Sequence, residues 1–399
     1  KSQPQLLSAE LTRIKPAEIY LSEGRKEEFS IDRTVETTFT FGPATDFNFD
    51  NTYRSLTEHF QVRNLRGFGC EELSAAITAA GALLRYLEST QKHALLHLRN
   101  LITYQTGEFM ALDPSTRRNL ELARTIRSEE VNGSLLGVLD LTVTSMGARL
   151  LRAWVEQPLT NLEAILERQN AIAEFTLSLE KRESVRESLK HTYDLQRILS
   201  KLASGSSNAR DLLALKQSLL MIPVLKETLK DTNEPKNRLI AETLDPLPEI
   251  TKILEAAIKD DPPLTIKDGG MIKPSYHPEL EKLIKASTQG KRWVAELEQE
   301  ERERTGIKSL KIGYNQVFGY YIEITKANLN LAPPDYIRKQ TLANGERFIN
   351  QRLKEYEDQI LNAHEKSVAL EYQIFTEIKE TVLKAIDQIQ ATAGALAEL

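Results

Sequence analysis

Between Ile349 and Ile374, apolar and small residues recur at alternating intervals of four and three: Ile349, Leu353, Tyr356, Ile360, Ala363, Ser367, Leu370 and Ile374. That is a heptad seam, the narrow stripe of a helix packed side by side with another rather than around a wide core. Upstream, Leu280, Leu283, Val294 and Leu297 also recur at helical spacing. The spacing predicts two arms running antiparallel, with Leu353, Tyr356, Ile360 and Leu370 facing Leu280, Leu283, Val294 or Leu297. No Pro or Gly interrupts the chain from Glu346 until Gly394. As one helix, that stretch would run roughly 70 Å at 1.5 Å per residue, too long to be buried in one compact domain.

Between the arms, from about Gly306 to Asn344, the pattern changes. KIGYNQVFGYYIEI (Lys311 to Ile324) carries Tyr, Phe, Val and Ile with two glycines, a mix that suits a pleated surface. Gly306 supplies a helix stop before it. A loop of this length between paired helices is usually functional or disordered, and its β-formers argue against disorder. The tip is thus a small β-rich element carried on helical arms.

The rest of the pattern is mixed near the N-terminus and helical beyond it. LLSAELTRI (Leu6 to Ile14) reads as a helix, Ala17 to Glu23 as a short strand, and Thr34 to Pro43 as a β-branched, aromatic segment ended by Gly-Pro. Helices follow at Asp50 to Phe60 and from Glu71 to about Leu101. From Asp113 to Ile258 the pattern is almost wholly helical. Thr144 or Ser145 caps a helix that stops before Pro158, Thr160 and Glu163 read as a capping box, and Asn208 caps another start. Behind the box, Leu162, Ile165, Leu166 and Ile172 share one face. Prolines 246, 248, 262 and 263 break the helices before the arms begin.

Composition narrows the function. The chain has 399 residues, with 52 basic against 57 acidic side chains and a net charge of −5, so a nucleic-acid site must be local. Cys70 is alone, which excludes a disulfide framework and a cysteine metal cluster and fits a reducing cytosol. No apolar run approaches the ~20 residues that span a bilayer. The N-terminus has neither an initiator Met nor an apolar signal core, and reads as part of something longer.

Catalytic constellations do not emerge. Gly67 to Gly69 lacks the third glycine of a dinucleotide fingerprint, and Gly290-Lys291 lacks the rest of a P-loop. His93 and His97 stand at i,i+4 without a third ligand and read as helix-surface histidines. The run Glu298 to Arg304 reads as a solvated face with i,i+4 ion pairs. By contrast, from Thr305 to Gln351 the bases Lys308, Lys311, Lys326, Arg338, Lys339 and Arg347 face only Glu323, Asp335 and Glu346, six minus three, net +3. Tyr314, Asn315, Gln316, Tyr320, Tyr321, Gln340, Thr341 and Asn344 add groups that hydrogen-bond phosphate. A basic tip on paired arms suits gripping a nucleic-acid backbone; the alternative is a coiled-coil scaffold whose β tip binds protein.

Several long strings together resemble the MutS family of DNA mismatch-repair proteins, in order along essentially the whole chain. GSLLGVLDLTVTSMGARLLRAWVEQPL (Gly133 to Leu159), LERQNAIAEF, DLQRILSKLASGSSNARDLLALKQSL and IKDGGMIKPSYHPELEKL are similar to the family's core. ERERTGIKSLKIGYNQVFGYYIEITKAN and YIRKQTLANGERF (Glu301 to Phe348) resemble its clamp, and LLSAELTRIKPAEI with FDNTYRSLTEHF through LRGFGCEELSAA its connector. The resemblance implies a mainly α fold: a helical core with long antiparallel lever helices carrying a small β-rich clamp, preceded by a partial α/β connector. The implied boundaries are connector 1–90, core 91–277, ascending lever 278–305, clamp 306–345 and descending lever 346–399.

It also implies double-stranded DNA as ligand, gripped without sequence reading by Asn315, Lys326, Arg338, Lys339, Gln340, Thr341 and Asn344. Nothing in the chain matches the mismatch-recognition domain that carries the family's Phe-x-Glu wedge, or the family's P-loop. ATP and Mg²⁺ are expected only in the ATPase domain of the full-length parent, so no cofactor or catalytic activity is expected here. A homodimer partner, a MutL-type repair protein and a cytoplasmic location are implied for the parent. A crossover-type family member, with a clamp but no mismatch recognition, is the alternative within the family.

Overall fold

The computed structural model describes Leu7, Glu10, Leu11, 13–25, 37–90, Leu95, Leu98, Arg99, 101–104, 106–315 and 319–399. His93, His97 and Gln316 lie outside the described residues, as do parts of the stretches read as a helix at Leu6 to Ile14 and a strand from Thr34. The fold is mainly helical, with a small parallel sheet near the N-terminus and an antiparallel four-stranded sheet near the C-terminal helices. It divides into two units, one of residues 1–207, 214–251 and 381–399, the other of 208–213 and 252–380.

The first unit begins with β1 (Glu18–Ser22), paired in parallel with β2 (Thr38–Gly42), followed by α1 (Phe49–His59) and α2 (Ser74–Thr90). Asn48 caps α1, accepting from the Asn51 N–H at 3.1 Å. Leu56, Leu65, Cys70, Ile77, Leu84 and Leu95 form the core beneath these helices. The helix read as continuing to Leu101 is described as far as Thr90, residues 91–94 lie outside the described residues, and Leu95, Leu98, Arg99 and Leu101 are not helical.

The helices α3 (Pro114–Asn119), α4 (Leu135–Leu139), α5 (Ser145–Glu156), α6 (Leu162–Leu177), α7 (Leu179–Lys190) and α8 (Leu195–Ala203) follow. Then come α9 (Ala209–Thr228), α10 (Pro235–Thr243) and α11 (Pro248–Ala257). Thr144 caps α5 as its position suggests, its hydroxyl accepting from Gly147 N–H at 3.0 Å. The α6 cap is different from the sequence reading: Asn161, not Thr160, accepts from Ala164 N–H at 2.9 Å. Thr160 instead donates its hydroxyl to the Glu108 carbonyl at 3.0 Å, a partner distant in sequence. Leu162, Leu166 and Ile172 are exposed, so the face they share is not a buried one. The packed side holds Ala171, Arg168 against the Trp154 ring, and Glu174 against Asn237. Asn208 caps α9 through Arg210 and Asp211 N–H, as read. Pro248 is the first residue of α11 and starts a helix instead of ending one, a position where the missing N–H costs nothing.

In the second unit, α12 (Pro278–Thr305) rises to β3 (Lys311–Asn315), β4 (Gly319–Thr325), β5 (Ile337–Thr341) and β6 (Gly345–Ile349). From there α13 (Gln351–Lys384) descends, and α14 (Ile386–Glu398) follows in the first unit. The seam holds: Leu353, Ile360, Ala363, Ser367 and Ile374 are buried, and Leu353, Tyr356 and Ile360 share one cluster with Val294 and Leu297. Trp293 lies tilted against Tyr356 at 5.7 Å between ring centroids, and Arg352 pairs with Glu300 at 2.9 Å. Leu280 is buried, while Leu283 and Leu370 are half-buried.

The uninterrupted 70 Å helix is a correction. The chain stays in β6 until Ile349, and the helix after it breaks at Ala385, leaving 34 residues in α13, about 51 Å. Past the break, Ile386, Ile389, Ala393 and Leu396 are buried, and α14 packs on α5, α8 and α10. Tertiary packing, and no local breaker residue, ends the arm.

Candidate nucleic-acid interface

The tip is built from the arms outward. Gly306 ends α12 at φ 69°, a left-handed turn that favours glycine. The sheet runs in the order β3-β4-β6-β5, all neighbours antiparallel. Its inner face presents Ile322, Ile324 and Phe348, which bury against Ile307, Leu310, Tyr336, Leu297 and Leu353. Arm carboxylates hold the sheet's first hairpin: Glu298 accepts from Ile312 N–H at 2.7 Å and Glu357 from Tyr320 N–H at 3.0 Å. Two helices and one sheet thus share a single hydrophobic cluster, which fixes the tip on its stalk.

Of the seven candidate residues, Lys326, Thr341 and Asn344 lie at one end of this sheet, and Gln340, Lys339 and Arg338 run back from it along β5, Arg338 opposite Phe348. Lys326 follows β4 and its N–H bonds the Asn344 carbonyl at 3.1 Å, while Leu342 N–H bonds the Gly345 carbonyl at 2.8 Å and closes the β5–β6 turn. Arg338, Lys339, Gln340 and Thr341 lie on β5, an edge strand. A register shift between Arg338 and Gln340 makes Lys339 the bulged residue, and bulges re-aim side chains at sheet edges. Lys326, Arg338, Lys339, Thr341 and Asn344 are exposed. Asn315 stands apart: it ends β3 opposite Gly319, at the far end of β4 from Lys326. Six residue steps along β4 separate the two ends, about 20 Å at ~3.4 Å per residue.

The charges are not equally free. Arg338 pairs with Glu346 at 3.3 Å yet keeps 63% of its side chain exposed. Arg347 is committed to the outer face: it lies 3.9 Å over the Tyr321 ring, pairs with Glu323 at 3.3 Å, and donates to the Gln340 side-chain oxygen at 3.0 Å. Among the described residues, Lys308, Lys311, Lys326 and Lys339 are exposed and have no acidic partner. The exposed, unpaired positive charge of the tip's described residues therefore resides in lysines, with Arg338 held by one carboxylate. A lysine is a compact point charge that suits phosphate without fixed geometry.

One feature contradicts the sequence reading outright. The run Glu298 to Arg304 was expected to be a solvated ion-pair face, and Arg302 does pair with Glu298 at 2.6 Å. Glu301, however, is only 3% exposed. It accepts from the Tyr336 hydroxyl at 2.8 Å, from Asn350 Nδ2 at 3.2 Å, and from Arg304 Nε and Nη2 at 2.8 and 2.7 Å. Arg304 also forks onto Asp335 at 3.2 and 3.1 Å. Burial, then the bond to Glu301, pushes the Tyr336 phenol up. Burial would lower Arg304, but its bonds to Asp335 and Glu301 win and hold it charged. No local pattern separates Glu301 from its three acidic neighbours in the run, Glu298, Glu300 and Glu303; only its helical step from Leu297, four residues away and on the buried face, hints at it.

No group of three potential metal ligands occurs among the described residues, and no described helix is long and apolar enough to cross a membrane.

Comparison with known proteins agrees with the resemblance. A family model described as MutS domain III matches residues 115–399, and one described as MutS domain II matches residues 4–99. The DNA mismatch repair protein MutS of Symbiobacterium thermophilum is 46% identical over 398 residues, 99% of this chain and 46% of that protein. Its counterpart in Halothermothrix orenii is 46% identical over 98% of this chain and 44% of the relative. The Myxococcus xanthus protein of the same name is 42% identical over 98% of this chain and 44% of the relative. The chain spans about half the length of the relatives it matches.

Proposed function

The chain belongs to the MutS family of DNA mismatch-repair proteins, and we propose that its β tip grips the phosphate backbone of duplex DNA without reading sequence. The observation that supports this most directly is the row of exposed Arg338, Lys339 and Thr341 along the edge strand β5, leading to exposed Lys326 and Asn344 at one end of the sheet. Lysines and hydroxyl or amide groups neutralise and hydrogen-bond phosphate oxygens but carry no base information by themselves. Gln340 contributes while tethered to Arg347; Asn315, at the other end of β4, reaches a different stretch of backbone.

In this reading residues 91–277 act as core, α12 and α13 as levers, and 306–345 as clamp. Two protomers of the full-length protein surround the duplex, and the levers couple tip position to an ATPase domain using ATP and Mg²⁺. A MutL-type repair protein is its downstream partner, in the bacterial cytoplasm. The names of the relatives favour mismatch repair over a crossover-type role. The test is binding of the chain to two matched duplexes of unrelated sequence. Equal affinities support a backbone grip; no binding, or a tenfold preference for one sequence, would overturn it.

A further inference from the structure

We propose that Glu301 is a positioning residue for this grip: it fixes the orientation of the β tip on the arms and thereby the placement of Lys326, Arg338 and Lys339. The inference rests on the backbone-grip reading above. Glu301 sits in the last turns of α12 and binds the two points where the tip's second hairpin begins and ends. Tyr336 directly precedes β5, which carries Arg338 to Thr341, and Asn350 directly follows β6. Asn350 is doubly used, since its Oδ1 accepts from Leu353 N–H at 2.8 Å and so starts α13. One carboxylate therefore joins the ascending arm, the descending arm and the hairpin.

The chemistry favours a geometric role over a simple stabilising one. A buried carboxylate is costly unless all its lone pairs are used, and apolar packing of the same volume is often as stable. Hydrophobic contacts are non-directional and tolerate sliding, whereas a fully satisfied buried network specifies one arrangement. The neighbouring cluster of Leu297, Leu310, Phe348 and Leu353 already supplies apolar burial. What Glu301 adds is direction: Tyr336 O–H, Asn350 Nδ2 and the Arg304 fork approach it from three elements. The covalent links alone give less control, because the chain leaves α12 through Gly306, a residue free to rotate.

The test uses the full chain in a Cys70→Ala background, with spin labels on cysteines at Asn330 on the tip and Glu365 on α13. Glu301→Gln removes the charge at nearly constant volume; Tyr336→Phe removes one hydroxyl and keeps the ring, in case the first variant folds poorly. Both should broaden the measured inter-label distance distribution and weaken duplex binding by about three- to tenfold, with Arg338→Ala/Lys339→Ala measured alongside. A merely structural role would lower the melting temperature and leave the distances and the affinity unchanged in the folded variants. Unchanged distances overturn the inference whatever happens to binding. Broadened distances with unchanged affinity overturn it too, provided the Arg338/Lys339 variant binds more weakly. If the Arg338/Lys339 variant binds as the parent chain does, the backbone-grip reading fails, and the inference falls with it.

Discussion

The tightest constraint on how the arms meet is Gly290. A Cβ built there falls well inside contact with Ile360 Cγ1, 3.0 Å from its Cδ1 and 3.5 Å from its Cβ. Ile360 is 4% exposed and β-branched, so it cannot swing aside. Two effects then oppose each other in Gly290→Ala. Helix propensity gains about 1 kcal/mol when glycine becomes alanine. Overpacking a filled seam costs about 1–3 kcal/mol, and contact with two atoms of a fixed side chain places it toward the upper end. The net expectation is a loss of about 1–2 kcal/mol. Ile360→Ala alone should cost about 2–5 kcal/mol through lost burial and the cavity left behind. In that background only the 3.5 Å neighbour remains, an ordinary contact, so Gly290→Ala should stabilise by about 1 kcal/mol. The sign change corresponds to a coupling energy of about 2–3 kcal/mol between two positions seventy residues apart in sequence. Urea unfolding, followed by Trp293 fluorescence in a Trp154→Phe background, reads the seam directly because Trp293 packs near Tyr356. Gly290→Ala stabilising the parent chain, or effects that add to within about 0.5 kcal/mol, would refute the close approach of α12 and α13.

Three further outcomes follow from other parts of the fold. Asp194 caps α8 through Arg197 N–H at 3.1 Å and forks onto Arg149 at 2.6 and 2.8 Å; the Arg149 bonds hold its carboxyl below the usual range despite partial burial. A depressed carboxyl contributes stability above its unfolded pKa of about 3.9 and loses it as pH falls through the lower folded value. Asp194→Ala should therefore cost about 1–2 kcal/mol in chemical denaturation at pH 7 and progressively less below about pH 4. Glu371, 2% exposed, accepts from Met271 and Ile272 N–H at 2.6 and 3.1 Å. Glu371→Ala leaves both amides buried without partners, at about 1–3 kcal/mol each, and should accelerate their hydrogen exchange; unchanged exchange at both would contradict it. Finally, the chain carries no P-loop, so calorimetry with ATP should show no heat of binding, and tight binding would refute that reading.

What the sequence made legible was set by how local the cause is. The seam from Leu353 to Ile374 was readable because a heptad repeats one geometric fact many times. Thr144 and Asn208 were readable as caps because the acceptor and its amides are adjacent in the chain. The Thr160 cap was not, since its hydroxyl was drawn to the Glu108 carbonyl and Asn161 took its place. Nor was the break at Ala385, where packing of α14 on α5, α8 and α10 redirects a stretch with no local breaker. In the tip, β-formers announced the sheet, but register depends on partners. Only register reveals that Lys326 meets Asn344, that Lys339 sits on a bulge, and that Asn315 lies at the other end. Charge counting treated Arg338, Arg347 and the lysines alike, whereas Arg347 is spent on Tyr321, Glu323 and Gln340. Burial of Glu301 was invisible for the same reason: its partners Tyr336 and Asn350 are 35 and 49 residues away.

The claim that the β tip grips DNA by its phosphates is tested most directly by the salt dependence of binding. The chain and its Arg338→Ala/Lys339→Ala variant are titrated with the same duplex, matched and with one mismatch, between 50 and 200 mM salt, about the range over which phosphate contacts are resolved. Each phosphate contact contributes about 0.9 to the slope of log affinity against log salt. The account predicts a slope shallower by about two in the variant, and the same loss of affinity on both duplexes. An unchanged slope, or a loss confined to mismatched DNA, would contradict it.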